Sequence, residues 1–247
     1  MNRKNRNALT LMLIIIIVII VGIIGFLGYE VVTTESKEKE AKRITDEFDD
    51  LVPTISEAEL AELERLQAEA AAQNGNTTTN PSADPAGSGS TGSSGGRSYS
   101  SGGYSGGRRT IDISGLSVYG TITIPATNIK YSIFDKPTTN ALDSGVAVLY
   151  TANGVNRPGN TVIAGHNYRN RSFFSQNKKL KNGDTIIIKD VTGVEVTYVM
   201  YYSFTTTSID ASFYQRDTGG KREITLSTCT DNGTKTGERL IIYAKER

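Results

Sequence analysis

The chain has 247 residues, 37% of them apolar and 21% charged, with 25 Gly, one Cys and one His; that length allows one or two domains. A single Cys permits no internal disulfide framework and no Cys-rich zinc site, and a single His leaves little for a His-based metal centre. A formal charge of +1 argues against a dedicated nucleic-acid binder, which carries a strong basic excess.

Residues 1–8 form a short tail with Arg3, Lys4 and Arg6, and residues 9–29, LTLMLIIIIVIIVGIIGFLGY, are uncharged. As a helix that run is roughly 31 Å long, enough to span a bilayer core. A signal peptide has a shorter apolar region followed by a small-residue cleavage motif, which is missing here. The sequence therefore predicts an uncleaved transmembrane anchor. The Lys and Arg excess before it places the N-terminus in the cytoplasm and the rest of the chain outside the membrane.

Residues 30–73 carry about 13 acids against 5 bases and read as a helical stalk. Ser56 and Glu59 make a capping box, Pro53 divides the stretch, and Leu60, Leu63 and Leu66 form a stripe too short for a coiled coil, so the stalk is expected to be solvated. Residues 74–109, rich in Gly, Ser, Thr and Asn, cannot bury enough apolar surface to offset ordering and are read as a disordered linker. As a Gly/Ser chain it has a root-mean-square reach of roughly 30–36 Å, which predicts a loosely oriented domain near the membrane.

Residues 110–247 are the segment able to build a sizeable core. Short β-rich runs lie at 117–124, 130–134, 146–150, 160–165, 185–189, 195–204, 223–229 and 239–245, separated by Gly, Asn, Asp and Pro. Short helical turns are expected at 140–144 and 172–180. The fold class is mostly β: an eight-stranded, largely antiparallel barrel.

The last two runs, joined by the polar loop TDNGTKTGE, pair naturally as a hairpin. If Cys229 faces Arg239, then Thr228 faces Leu240, Leu226 faces Ile242 and Ile224 faces Ala244, which gathers most apolar residues on one side. A thiol and a guanidinium ten positions apart then become neighbours. A cationic neighbour lowers a thiol's pKa, and the thiolate is the nucleophilic form; a fixed Arg also offers donors to a developing oxyanion. An arbitrary lone Cys is otherwise a small buried apolar residue. His166 closes the run NTVIAG and opens the loop HNYRNRSFF. Imidazole suits proton transfer near neutral pH, although local spacing does not link it to Cys229, and a structural His is the bland alternative.

Three stretches carry a family likeness: TLSTC at residues 225–229 with Arg239 in GERLIIYAK, NTVIAGHN at 160–167, and the early strand GTITIPATNIKYSIFD. Together, over residues 116–247, they resemble the sortases of Gram-positive bacteria, membrane-anchored cysteine transpeptidases. The opening motif GxIxIPxxxIxxPI has Ser132 where the family has Pro, a position with no expected chemical role.

The resemblance implies an eight-stranded sortase barrel with Cys229 as nucleophile, His166 as general acid and then base, Arg239 as oxyanion stabiliser and Thr228 in a supporting role for substrate or oxyanion. It implies partners of three kinds: surface proteins bearing a C-terminal LPxTG-like sorting signal, an amine acceptor on a cell-wall precursor or pilin subunit, and the membrane. No Asp-Pro-aromatic lid motif occurs in residues 74–115, and the roughly 18-residue segment before residue 223 is shorter than the insertion of sortases acting on haem-uptake proteins. No cofactor is implied. Calcium activation stays open, but Asp143, Asp210 and Asp217 do not make a run of closely spaced oxygen ligands and read as solvated surface acids. A hydrolytic cysteine peptidase using the same triad, and a non-enzymatic tethered surface module, are the alternative functions.

Overall fold

The computed structural model describes residues 3–56, 58–62, 65–66, 69, 110–231 and 233–247, with side chains described from residue 11 on, apart from 27, 28, 30, 31 and 34. The linker read at 74–109 lies outside the described residues.

Nine strands follow a long N-terminal helix, α1 (Arg3–Leu51): β1 (Ile111–Ile113), β2 (Leu116–Ile124), β3 (Ile129–Phe134), β4 (Val146–Thr151), β5 (Gly159–Ala164), β6 (Thr185–Asp190), β7 (Glu195–Thr207), β8 (Arg222–Cys229) and β9 (Glu238–Glu246). Two short helices interrupt them, α2 (Thr139–Ser144) before β4 and α3 (Gly233–Thr236) before β9. The sheet runs β1-β2-β3-β4-β5-β8-β9-β7-β6, and β6 pairs back onto β2. Strands β2–β9 thus close an eight-stranded barrel, and β1 is a short addition on β2. Closure removes the unpaired edges that an open sheet would present.

Two of the barrel's junctions, β3 with β4 and β5 with β8, are parallel, and the others are antiparallel. The β8–β9 hairpin takes the register expected from its apolar pattern, with Cys229 opposite Arg239, Thr228 opposite Leu240, Leu226 opposite Ile242 and Ile224 opposite Ala244. Its inward side chains Ile224, Leu226, Ile242 and Ala244 join Ile122, Ile133, Ile163, Ile186, Ile188 and Tyr198 in the main core.

The helix α1 departs from the expected solvated stalk. Its face at Ala41, Ile44, Thr45 and Phe48 is buried, as is Val52 just beyond its end, and Ile44, Phe48 and Val52 pack with Ile113 of β1 and with Val118, Phe134 and Ala147 on the barrel's outer surface. Each of these three large side chains contributes about 1.5–3 kcal/mol of transfer free energy when fully buried. The polar contacts are as specific. Ser132 donates its backbone N–H to Thr45 Oγ1 at 3.0 Å, and the two hydroxyls lie 3.2 Å apart. Beyond the helix, Ile55 N–H donates to the Gly193 carbonyl at 2.8 Å, and Gly193 has φ +86° and a position where a Cβ would lie 2.3 Å from the Pro53 carbonyl. Only glycine fits there. Ser56 and Glu59 form the predicted reciprocal cap.

Asp49 fixes the end of α1 to the barrel. It pairs with Lys130 of β3 and, at 2.5 Å, with Lys189 of β6, whose side chain is only 7% exposed and also donates to the Val52 carbonyl. Burial alone would push the Asp49 carboxyl up, but the two lysines outweigh it and hold it below the usual carboxylate range. Because the folded-state pKa is depressed, this stabilisation is present above the unfolded value near 4 and is lost as pH falls through the folded value. Asp49→Asn leaves Lys189 without its counter-charge and is expected to cost about 3 kcal/mol at neutral pH. In thermal unfolding the gap between wild type and variant should close as the solution is acidified below about pH 4. An equal gap at all pH values would show that the pair does not hold the helix.

The transmembrane expectation is not met among the described residues, where no helix is long and apolar enough to cross a membrane. The apolar stretch with described side chains is residues 11–26. Its side chains are exposed, from Ile16 at 45% to Phe26 at 67%, in contrast to the buried face at 41–48 of the same helix.

Candidate active site

Parallel pairing of β5 with β8 does what local spacing in the sequence could not. Ala164 faces Ser227, and Gly165 N–H donates to the Ser227 carbonyl. His166 and Cys229 therefore each lie two residues beyond a paired position, at the same end of adjacent strands, whose spacing is roughly 4.8 Å. Gly165 is required by close packing: a Cβ there would come within 3.0 Å of both the Phe174 ring and Val146.

Cys229, a free and half-buried thiol, receives a hydrogen bond from Arg239 Nη1 at 3.2 Å. The guanidinium is planar, permanently charged and held by the hairpin register, so it presents further donors next to the sulfur. An anionic sulfur accepts such a bond more strongly than a thiol does. The buried Thr228 donates its hydroxyl to the Gly165 carbonyl at 2.8 Å. That hydroxyl ties β8 to the turn carrying His166.

Several residues at the site were not singled out in the sequence. Asn167 Nδ2 donates to the Cys229 carbonyl at 2.9 Å and to Asp231 Oδ1 at 3.1 Å, pinning the loop after His166 to the end of β8. The Tyr168 ring lies against His166 with centroids 4.9 Å apart, and Phe173 meets Tyr168 edge-on. Asp143, read as a solvated acid, is instead bonded in the site. Its Oδ1 accepts from Tyr168 OH at 2.6 Å and Lys37 Nζ at 2.8 Å, and lies 3.9 Å from His166 Nε2. The His-Asn pair at 166–167 and the Leu-Asp pair at 142–143 are visible in sequence, but only the fold brings them together.

Burial pushes the His166 imidazole below its ordinary value; the Asp143 charge opposes that, while Lys37 and Arg239 reinforce it. Burial also raises Tyr168, helped by the hydrogen bond and charge of Asp143, so its phenol stays protonated as a donor. Asp143 itself is held below the usual range, because Lys37 and Tyr168 outweigh its burial. Among the described residues no group of three or more His, Cys, Asp or Glu side chains is placed to hold a metal ion.

On the outer face of β5, β8 and β9 a second layer forms. Phe213, from the segment between β7 and β8, packs on Val162 and Ile241, with Leu149, Tyr150, Phe204, Tyr214 and Tyr243 around them. Asn160 Nδ2 holds that segment by donating to the Phe213 and Tyr214 carbonyls. Arg216 closes it, stacked 3.7 Å over Tyr243 and paired with Glu223 at 2.8 Å.

The family model for the Sortase domain matches residues 122–247, half of the chain and nearly all of the barrel. The chain belongs to the sortase family. Similar solved structures include sortase A from Listeria monocytogenes (25% identity, covering 53% of this chain and 87% of that one, TM-score 0.47). Sortase A from Corynebacterium diphtheriae is similar at 26% identity, covering 53% and 61%, with a TM-score of 0.48. Sortase C from Clostridium perfringens, in a structure with the C-terminal cell wall sorting motif, has 26% identity, coverage of 53% and 70%, and a TM-score of 0.45. No curated protein matches the chain. In this sortase the matched region contains Cys229, His166 and Arg239, and it ends short of α1, which lies outside the match yet reaches the site through Lys37.

Proposed function

We propose that this sortase is a membrane-anchored cysteine transpeptidase that cleaves an LPxTG-like sorting signal and transfers the acyl part to an amine of a cell-wall precursor or pilin subunit. The observation that carries the reading is the Arg239 to Cys229 hydrogen bond at 3.2 Å at the strand end shared with His166, within a sortase domain. The Cys229 thiolate attacks the backbone carbonyl carbon of the signal's Thr, and the carbonyl electron pair moves to oxygen, where Arg239 donors stabilise it. Collapse of this intermediate breaks the Thr–Gly bond; His166 gives its proton to the departing amine, leaving a thioester on Cys229. The acceptor amine loses a proton to His166, attacks the thioester, and expels the thiolate as the new amide forms.

The aromatic layer around Phe213, Tyr150 and Tyr214 beside β5 and β8 suits the apolar part of such a signal. The exposed apolar side chains of residues 11–26, continuous in sequence with the uncharged run 9–29 and preceded by basic residues, support a single-pass anchor with a cytoplasmic N-terminus and an extracellular barrel.

Incubating the full chain in detergent with an LPxTG peptide, with and without triglycine, tests the reaction. A product joined to triglycine at the Thr is expected, and it should increase with triglycine concentration at the expense of hydrolysed peptide. Hydrolysis alone at every triglycine concentration would mark a cysteine peptidase with the same triad. A folded protein that turns over neither would mark a tethered surface module.

A further inference from the structure

Building on the role proposed for His166, we infer that Asp143 is a positioning residue that orients the His166 imidazole and supplies its counter-charge, and that Lys37 of α1 tempers this by sharing the same carboxylate oxygen. Three contacts converge on Asp143 Oδ1: Tyr168 OH at 2.6 Å, Lys37 Nζ at 2.8 Å and His166 Nε2 at 3.9 Å. The first fixes the Tyr168 ring, which is the wall against which the imidazole lies. The third places a negative charge beside the nitrogen that would carry a proton.

Four elements face the imidazole with charged or titratable groups. Asp143 comes from α2, Lys37 from α1, Arg239 from β9 and Tyr168 from the loop after β5. Asp143 is the carboxylate among them, and Lys37 and Arg239 are cations; Cys229 of β8 stands at the neighbouring strand end, so proton affinity at His166 depends on how fully Asp143 is available to it and on the charge of that sulfur. Lys37 also lies 5.3 Å above the Tyr168 ring, held there because α1 is seated on the barrel by Ile44, Phe48 and Asp49. The N-terminal helix is thereby part of the catalytic electrostatics, although the Sortase domain match excludes it.

His166 is the only histidine in the chain, so its imidazole resonances are identified without assignment. The test is an NMR pH titration of the full chain in detergent, labelled at histidine, comparing wild type with Asp143→Asn and Lys37→Met. Asp143→Asn is expected to lower the His166 midpoint by about 0.5–1 unit and Lys37→Met to raise it by a similar amount. Asp143→Glu, which keeps the charge, should return the midpoint most of the way to wild type. A midpoint moved by less than about 0.2 unit in Asp143→Asn, with the amide spectrum still that of a folded chain, overturns the assignment of Asp143. The same result in Lys37→Met overturns that of Lys37. Because the titration needs no turnover, it is decided even where the transpeptidase reading fails.

Discussion

Cys229→Ala is expected to remove turnover of sorting-signal peptides, lowering the rate by about 10⁴-fold or more, with the barrel still folded. The replacement deletes one half-buried sulfur at the end of β8 and leaves the hairpin's core pairs Ile224 with Ala244 and Leu226 with Ile242 untouched. No other thiol exists in the chain, so no neighbour can take over the nucleophile's role. Removing the sulfur also leaves Arg239 Nη1 without that acceptor, but the half-buried guanidinium reaches solvent and loses little. Peptide cleavage followed by chromatography, with circular dichroism as the folding control, checks the expectation. Turnover within tenfold of wild type would move the nucleophile elsewhere.

The second large effect is expected at Arg239. Arg239→Lys keeps a positive charge but gives up the planar fork, so the donor on Cys229 Sγ and those left for an oxyanion can no longer be offered together. A loss of about 10²–10³ in kcat/KM is expected, the scale of removing an oxyanion donor. Stability should change by less than about 1 kcal/mol, since the side chain lies at a partly exposed strand end. The same kinetic comparison with a thermal melt distinguishes the roles: a variant that unfolds early and is slow in proportion would make Arg239 a structural residue.

The sequence reading and the structure agree where neighbours in space are also neighbours in the chain. The β8–β9 register follows from alternation across one short loop, which is why Cys229 opposite Arg239 is legible in the sequence. The Ser56–Glu59 cap, a four-residue pattern, was legible for the same reason. His166 was not placed, because its approach to Cys229 depends on a parallel β5–β8 pairing across some sixty residues, and parallel pairing leaves no hairpin signal. Closure of the barrel through β2 and β6 is likewise non-local.

The stalk is helical as expected but docked rather than solvated, for a different reason. Ala41, Ile44, Phe48 and Val52 recur at helical spacing and signal a buried face, but the acids and lysines around them give the segment the composition of a solvated helix. Ser132 lies under the same docked face. Where the family motif has Pro, the N–H of Ser132 bonds Thr45, a bond that Pro could not make; the departure from the motif is a helix-docking contact. Asp143 appeared as an isolated surface acid because its three partners come from residues 37, 166 and 168, none of them close to it in the chain.

The proposed reaction passes through a covalent acyl group on Cys229. Intact-protein and peptide-level mass spectrometry of the full chain, quenched in acid during turnover of an LPxTG peptide, tests it most directly. The predicted result is a mass increase equal to the peptide up to its Thr, less one water, located on Cys229, discharged by triglycine and missing in Cys229→Ala. Peptide turnover with Cys229 unmodified throughout, or with the adduct on another residue, would contradict it.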